Sequence, residues 1–213
     1  MMKKFFAISA IIAISACGLG GQLGGTVSPV LQAENQKLTV SYQTAITSVL
    51  EGQKDLATAL DLKDQVTELE NQANAAKSGN LTVSDIDKTV ELSTSTNKLI
   101  SDKLAQGQEL SSESKTLVAK GLGNYAVGTV ATAALVKSGA DFVNTTKNTL
   151  STASIPDKLA TVDNIKVGTA IATKVPGLAK DLLSTGKQLI DLAKKSGVNT
   201  AAAQKTMSKA AGF

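Results

Sequence analysis

The residue pairs best suited to chemistry in this chain are serine and lysine. Ser95-Thr96-Asn97-Lys98, Ser112-Glu113-Ser114-Lys115 and Ser184-Thr185-Gly186-Lys187 share one spacing, Ser-x-x-Lys. On a helix it sets an amine one turn from a hydroxyl, where it can take the hydroxyl's proton. Lys137-Ser138-Gly139 and Lys195-Ser196-Gly197 loosely match the Lys-Thr-Gly element that accompanies such a pair. Three occurrences are close to what chance gives a chain this rich in serine and lysine, and Lys-Thr-Gly belongs on a sheet strand. Asp61, Asp64 and Glu68 share a helix face and carry the oxygens of a hard-cation site, but Lys63 sits among them, as on a solvated face. Asp85-Ile86-Asp87 lacks the glycine and distal glutamate of a calcium loop and reads as helix capping. Gly121-x-Gly123 lacks the third glycine of a dinucleotide loop and follows no strand.

Composition narrows the chemistry further. The chain has no His and no Trp, one Cys, and 3% aromatic residues in 213. Without histidine there is no His-ligated zinc, no Ser-His-Asp or Cys-His nucleophile, and no histidine switch. A single cysteine allows no internal disulfide and no cysteine-rich metal site. We expect no catalytic residue, no metal and no cofactor. Few aromatics and no arginine leave little for base stacking or base readout, so no nucleic-acid partner is expected.

The elements around these residues read as helical. Ser28-Pro29 is a helix start, and Leu31, Leu38, Tyr42, Ile46, Val49, Leu56 and Leu60 mark one side, continued by Val66, Leu69, Ala73 and Ala76. The stripe predicts one long helix to about residue 77, or two shorter ones if its register shifts near Gly52 or Asp61. A second start is expected at Ser84 with Asp87 in a capping box, followed by Ile86, Val90, Ser93, Asn97, Ile100 and Leu104. A third helix begins at Ser111 or Ser112 and runs to about residue 149. A fourth begins near Ile155-Pro156-Asp157. A fifth begins near Pro176 and carries Leu178, Leu182, Leu189 and Leu192 or Ala193. The expected fold is all-α, an antiparallel up-and-down bundle of about five helices over residues 29–199, with 200–213 a short helix or frayed tail.

Residues 1–16 are a targeting segment. Lys3 and Lys4 precede the apolar run Phe5-Phe6-Ala7-Ile8 through Ile11-Ile12-Ala13-Ile14, too short for a membrane span but suited to a secretory leader. At Ile14-Ser15-Ala16-Cys17 the chain resembles the lipobox of bacterial lipoproteins: an aliphatic residue, two small residues, then the cysteine. The resemblance covers the leader and Cys17, about a tenth of the chain. It implies cleavage before Cys17, acyl chains on that residue, and anchoring to membrane lipid, with several chains holding firmly where one is marginal. Gly18-Leu19-Gly20-Gly21-Gln22-Leu23-Gly24-Gly25 reads as a tether within 17–28. In enteric lipoproteins Asp after the cysteine favours the inner membrane, so Gly18 leans by resemblance toward the outer one.

Two further features stand out. No charge interrupts the chain between Lys120 and Lys137, and Gly121, Tyr125, Gly128, Thr132, Leu135, Gly139 and Phe142 form a stripe of small and large residues. It suits close packing inside a bundle; its alternatives are an apolar ligand cavity lined by Tyr125, Val130, Leu135 and Phe142, or a segment that enters membrane. Residues 30–114 hold seven lysines and thirteen acids, residues 115–213 thirteen lysines and five acids. Complementary packing of the two halves accounts for this blandly; a basic face toward anionic lipid or polymer is the sharper account. The sequence therefore predicts a lipid-anchored, non-enzymatic envelope lipoprotein with an envelope protein partner, in an oligomeric state left open. An amphiphile carrier and a membrane-active effector are the rivals.

Overall fold

Six helices follow one another in the computed structural model, which describes residues 28–107 and 109–210. They are α1 (Pro29–Ala59), α2 (Lys63–Lys77), α3 (Val83–Ala105), α4 (Ser112–Thr152), α5 (Ile155–Lys195) and α6 (Ala201–Met207), with a 3-10 turn at Ser208–Ala210. No strand occurs among the described residues. The leader, Cys17 and the glycine-rich run lie outside them, as do residues 211–213.

The fold is the all-α up-and-down bundle that the periodicity predicts. Side-chain pairs fix its directions. Lys77 pairs with Glu51, and Gln72 bonds to Thr89, so α2 runs back along α1 and α3 back along α2. Glu34 meets Thr145 and Asp55 meets Lys120, so α4 descends beside α1. Asn35 accepts from the Gly168 amide and donates to the Asn164 carbonyl, so α5 rises parallel to α1. Lys174 pairs with Asp87 at 2.8 Å, which starts α3 beside the middle of α5. One end of the bundle is consequently built from α1, α4 and α5 alone.

Every residue of the first stripe, from Leu31 to Leu60, is buried. The long-helix alternative gives way at Leu60–Leu62, where Asp61 takes φ 57° and the Leu62 amide closes on the Ala57 carbonyl. Gly52 marks no break: it lies inside α1 at the crossing with α4. Ser28 gives α1 only its backbone carbonyl, accepting from Gln32, with no side-chain cap.

Two boundaries differ from the sequence reading. The capping box of α3 is Thr82 with Asp85, two residues before the expected pair. Thr82 is extended and its hydroxyl accepts from the Asp85 amide, while Asp85 returns a carboxylate to the Thr82 amide; Asp87 is left to meet Lys174. The Thr82 hydroxyl, donating to the Asp85 carboxylate at 2.6 Å, and then the Thr82 amide hold that carboxyl below its ordinary value. The expected fourth and fifth helices are one, since α5 passes through Pro176 unbroken. An interior proline costs about 3 kcal/mol, and Val175, Leu178 and Ala179, all buried beside it, offset that cost. Within the stretch read as a short helix or frayed tail lies α6, with Ala203 and Met207 buried.

Candidate functional site

The centre of the bundle carries a polar chain rather than a cavity. Gln53 of α1, fully buried, donates to the Ser93 carbonyl and to Asn97 Oδ1 of α3, both at 2.8 Å. Asn97 Nδ2 donates to the Tyr125 hydroxyl of α4 at 3.0 Å, and that hydroxyl donates to the Leu182 carbonyl of α5 at 3.4 Å. Four helices are thereby tied through one buried line of hydrogen bonds, an arrangement that specifies register. Burial pushes the Tyr125 phenol well above its ordinary pKa; the Asn97 hydrogen bond opposes this and the charge of nearby Asp181 adds to it.

Two glycines of the uncharged segment, Gly121 and Gly128, serve contact with α1. A Cβ on Gly121 would meet the Gly52 carbonyl oxygen at 2.8 Å, and one on Gly128 would meet the Val49 amide nitrogen at 2.6 Å. The backbones of α1 and α4 thus touch where a larger residue would hold them apart. By length and composition α4 is long and apolar enough to cross a membrane, and its stripe from Gly121 to Phe142 is buried in the bundle.

The four residues expected to line a cavity are not gathered around one. Tyr125 belongs to the polar chain, Phe142 packs over Gly168, and Leu135 is buried in the main core. Val130 is half-buried beside Ala133, Ala179 and Ala210. Phe142 borders a hollow of about 200 Å³ shared with Glu34, Lys37 and Asp141.

An apolar hollow of about 610 Å³ lies instead on the outer side of the α4–α5 pair. Val136 and Ala140 of α4 and Pro176, Ala179 and Leu183 of α5 pave it, and Lys137, Lys180 and Lys187 stand on its rim with Ser184. No acidic side chain lines it, and none of the three lysines takes part in the ion pairs of the described residues. Apolar surface under unneutralised ammonium groups suits a ligand with a hydrocarbon part and an anionic head. Sequence reasoning missed these residues. Their one signal was the spacing Pro176, Ala179, Leu183 with Lys180 and Lys187, which places an apolar strip and two lysines along one face of α5.

A second, polar hollow of about 410 Å³ separates α3 from α5, lined by Asn97, Lys98, Asp102, Asp181, Ser184 and Gln188 among others. Here Lys98 is bonded to Asp102 at 2.6 Å, and Ser95 turns its hydroxyl to the Leu92 carbonyl. The Ser95–Lys98 pair is thus engaged elsewhere. The remaining Ser-x-x-Lys pairs lie on separate helices, α4 and α5, and Lys195-Ser196-Gly197 forms the end of α5 and its cap. Asp61 pairs with Lys63 at 3.5 Å, both exposed, and the described residues hold no cluster of three metal-ligating side chains. Comparison with family models, with curated proteins and with solved structures returns no match.

Proposed function

We propose that this chain is a lipid-anchored, non-enzymatic lipoprotein of the bacterial cell envelope that works by binding, as a scaffold or accessory subunit of an envelope assembly. One observation carries the reading: the chain's single cysteine stands directly after Ile14-Ser15-Ala16 at the end of a secretory leader. A lone thiol in an exported chain calls for a role, and acylation supplies one. The bundle that begins at Pro29 supports a binding role, with four helices locked through Gln53, Asn97 and Tyr125 into a rigid display surface. Gly18 leans, by resemblance, toward the outer membrane. The partner on this reading is another envelope protein. The test is Cys17→Ala, read on the mature chain without its leader. Fatty-acid labelling is lost and the protein leaves the membrane fraction; a Cys17→Ala chain that still labels and still pellets overturns the anchor.

A second reading has its own observation, the lysine-rimmed groove between α4 and α5. On it the bundle carries an anionic amphiphile, held on the surface of the helix pair rather than around Tyr125, Val130, Leu135 and Phe142.

A further inference from the structure

The end of the bundle where α4 turns into α5 presents large apolar side chains to solvent. Ile155, Leu159 and Val162 are 75%, 71% and 53% exposed, spaced four and three apart on the first two turns of α5. Val30, 59% exposed, lies in the first turn of α1 at the same end, as the bonds from the Thr145 hydroxyl to Glu34 and from Asn35 to the Asn164 carbonyl require. Four of the seven exposed large hydrophobics of the described residues are therefore concentrated there. Scattered exposed hydrophobics need no explanation; a patch at one end of a rod does.

Two observations say what covers it. The chain that precedes Ser28 joins the bundle at this end, and Cys17 lies eleven residues before Ser28. Eleven residues reach at most about 40 Å when fully extended, and a glycine-rich chain of that length averages roughly 20 Å end to end. An acylated Cys17 thus keeps this end, not the opposite one, beside the headgroups. Lys147 and Lys158 are exposed around the patch, with stems long enough to leave their ammonium groups at phosphate level. We propose that this three-helix end docks into the interfacial layer of the anchoring bilayer. Ile155, Leu159 and Val162 enter the acyl boundary, Lys147 and Lys158 meet anionic headgroups, and α1, α4 and α5 stand away from the surface. The proposal rests on Cys17 being the anchor.

The chain lacks tryptophan, so one introduced indole is a clean reporter. Leu159→Trp and, separately, Val127→Trp on the exposed side of α4 are made in the mature acylated chain and reconstituted into phosphatidylcholine–phosphatidylglycerol vesicles with acyl-brominated lipid. The expected result is a blue shift and at least about twofold quenching at position 159, with none at 127. Equal quenching at both positions, or none at 159, overturns the proposal. The intact mass of the same protein reports acylation, so a failed anchor is read separately from a failed docking. In the Cys17→Ala chain, Ile155→Ser, Leu159→Ser and Val162→Ser together lower vesicle partitioning at least about tenfold. Unchanged partitioning, or a dimer that the triple variant dissolves, assigns the patch elsewhere and overturns the docking.

Discussion

Replacing Gly52 by alanine places one methyl group where the backbones of α1 and α4 approach most closely. A Cβ there falls 2.5 Å from the Tyr125 amide nitrogen, 2.7 Å from the Gly121 carbonyl oxygen and 2.8 Å from the Tyr125 Cα. All three are backbone atoms of α4, so no side chain can swing aside. The helices must separate by nearly an ångström, loosening the facing Val49–Gly128 and Gly52–Gly121 contacts together. Overpacking of this kind costs typically 1–3 kcal/mol and sometimes more. Alanine returns about 1 kcal/mol through its better helix propensity. With rigid backbone on every side the cost falls in the upper part of that range, and we expect a net loss of about 1–2 kcal/mol, a fall in melting temperature of roughly 2–8 °C for a chain of this size. Gly123→Ala is the control. The same helix offers its added Cβ no neighbour within 4 Å, so only propensity acts and the melting temperature rises by about 1–4 °C. The assay is thermal unfolding of the Cys17→Ala chain followed by circular dichroism at the helical minimum. A Gly52→Ala protein as stable as the parent would refute the close crossing and with it the packing account of the glycine stripe.

Two further outcomes follow from the tyrosines and the groove. The chain's two tyrosines, Tyr42 and Tyr125, are both buried, and burial, with the charges of Asp87 and Asp181 respectively, raises both phenols well above 10.0. Because the unfolded phenols ionise first, the stabilisation is complete below pH about 10 and is lost as pH rises beyond it. Tyrosinate absorbance should stay silent past that point and then appear together with unfolding; ionisation with the helix signal intact would contradict the burial. For the groove, the detergent-free Cys17→Ala chain examined by native mass spectrometry with added long-chain fatty acid should hold one molecule. Lys180→Glu with Lys187→Glu should weaken that binding about tenfold, and equal binding by both proteins would remove the carrier reading.

Much of the fold is legible in the residue pattern because a helix repeats its burial every three to four residues. The stripe from Ile86 to Leu104 predicts six inward positions on α3; five are buried and Val90 is partly so. Pattern speaks less well about ends. Ser84 and Thr82 offer similar hydroxyls, and the choice between them depended on which has an acid three residues on that is not drawn to another helix. Asp87 is so drawn, by Lys174, a partner 87 positions away. Pro176 misleads for the same reason: its local cost is visible in sequence, while the burial of Val175, Leu178 and Ala179 against other helices is not.

The candidate site was less legible, because a groove belongs to two helices and neither period states which faces they share. Charge gave the better clue than apolarity did. Packing of the acidic first half against the basic second half explains little of the asymmetry, since only Lys120–Asp55 and Lys174–Asp87 join the halves among the ion pairs of the described residues. Lys137, Lys180 and Lys187 stand instead over the groove, and Lys147 and Lys158 around the apolar end. In both places basic side chains border uncovered apolar surface on α4 and α5. A lysine held beside hydrocarbon meets poorer solvation than one on an open face, so its charge is worth more to an anion that brings hydrocarbon with it. On the carrier and docking readings proposed above, these five lysines and the apolar surface beside them act together, and amphiphilic anions, whether single molecules or a bilayer surface, are the chemistry that would satisfy both.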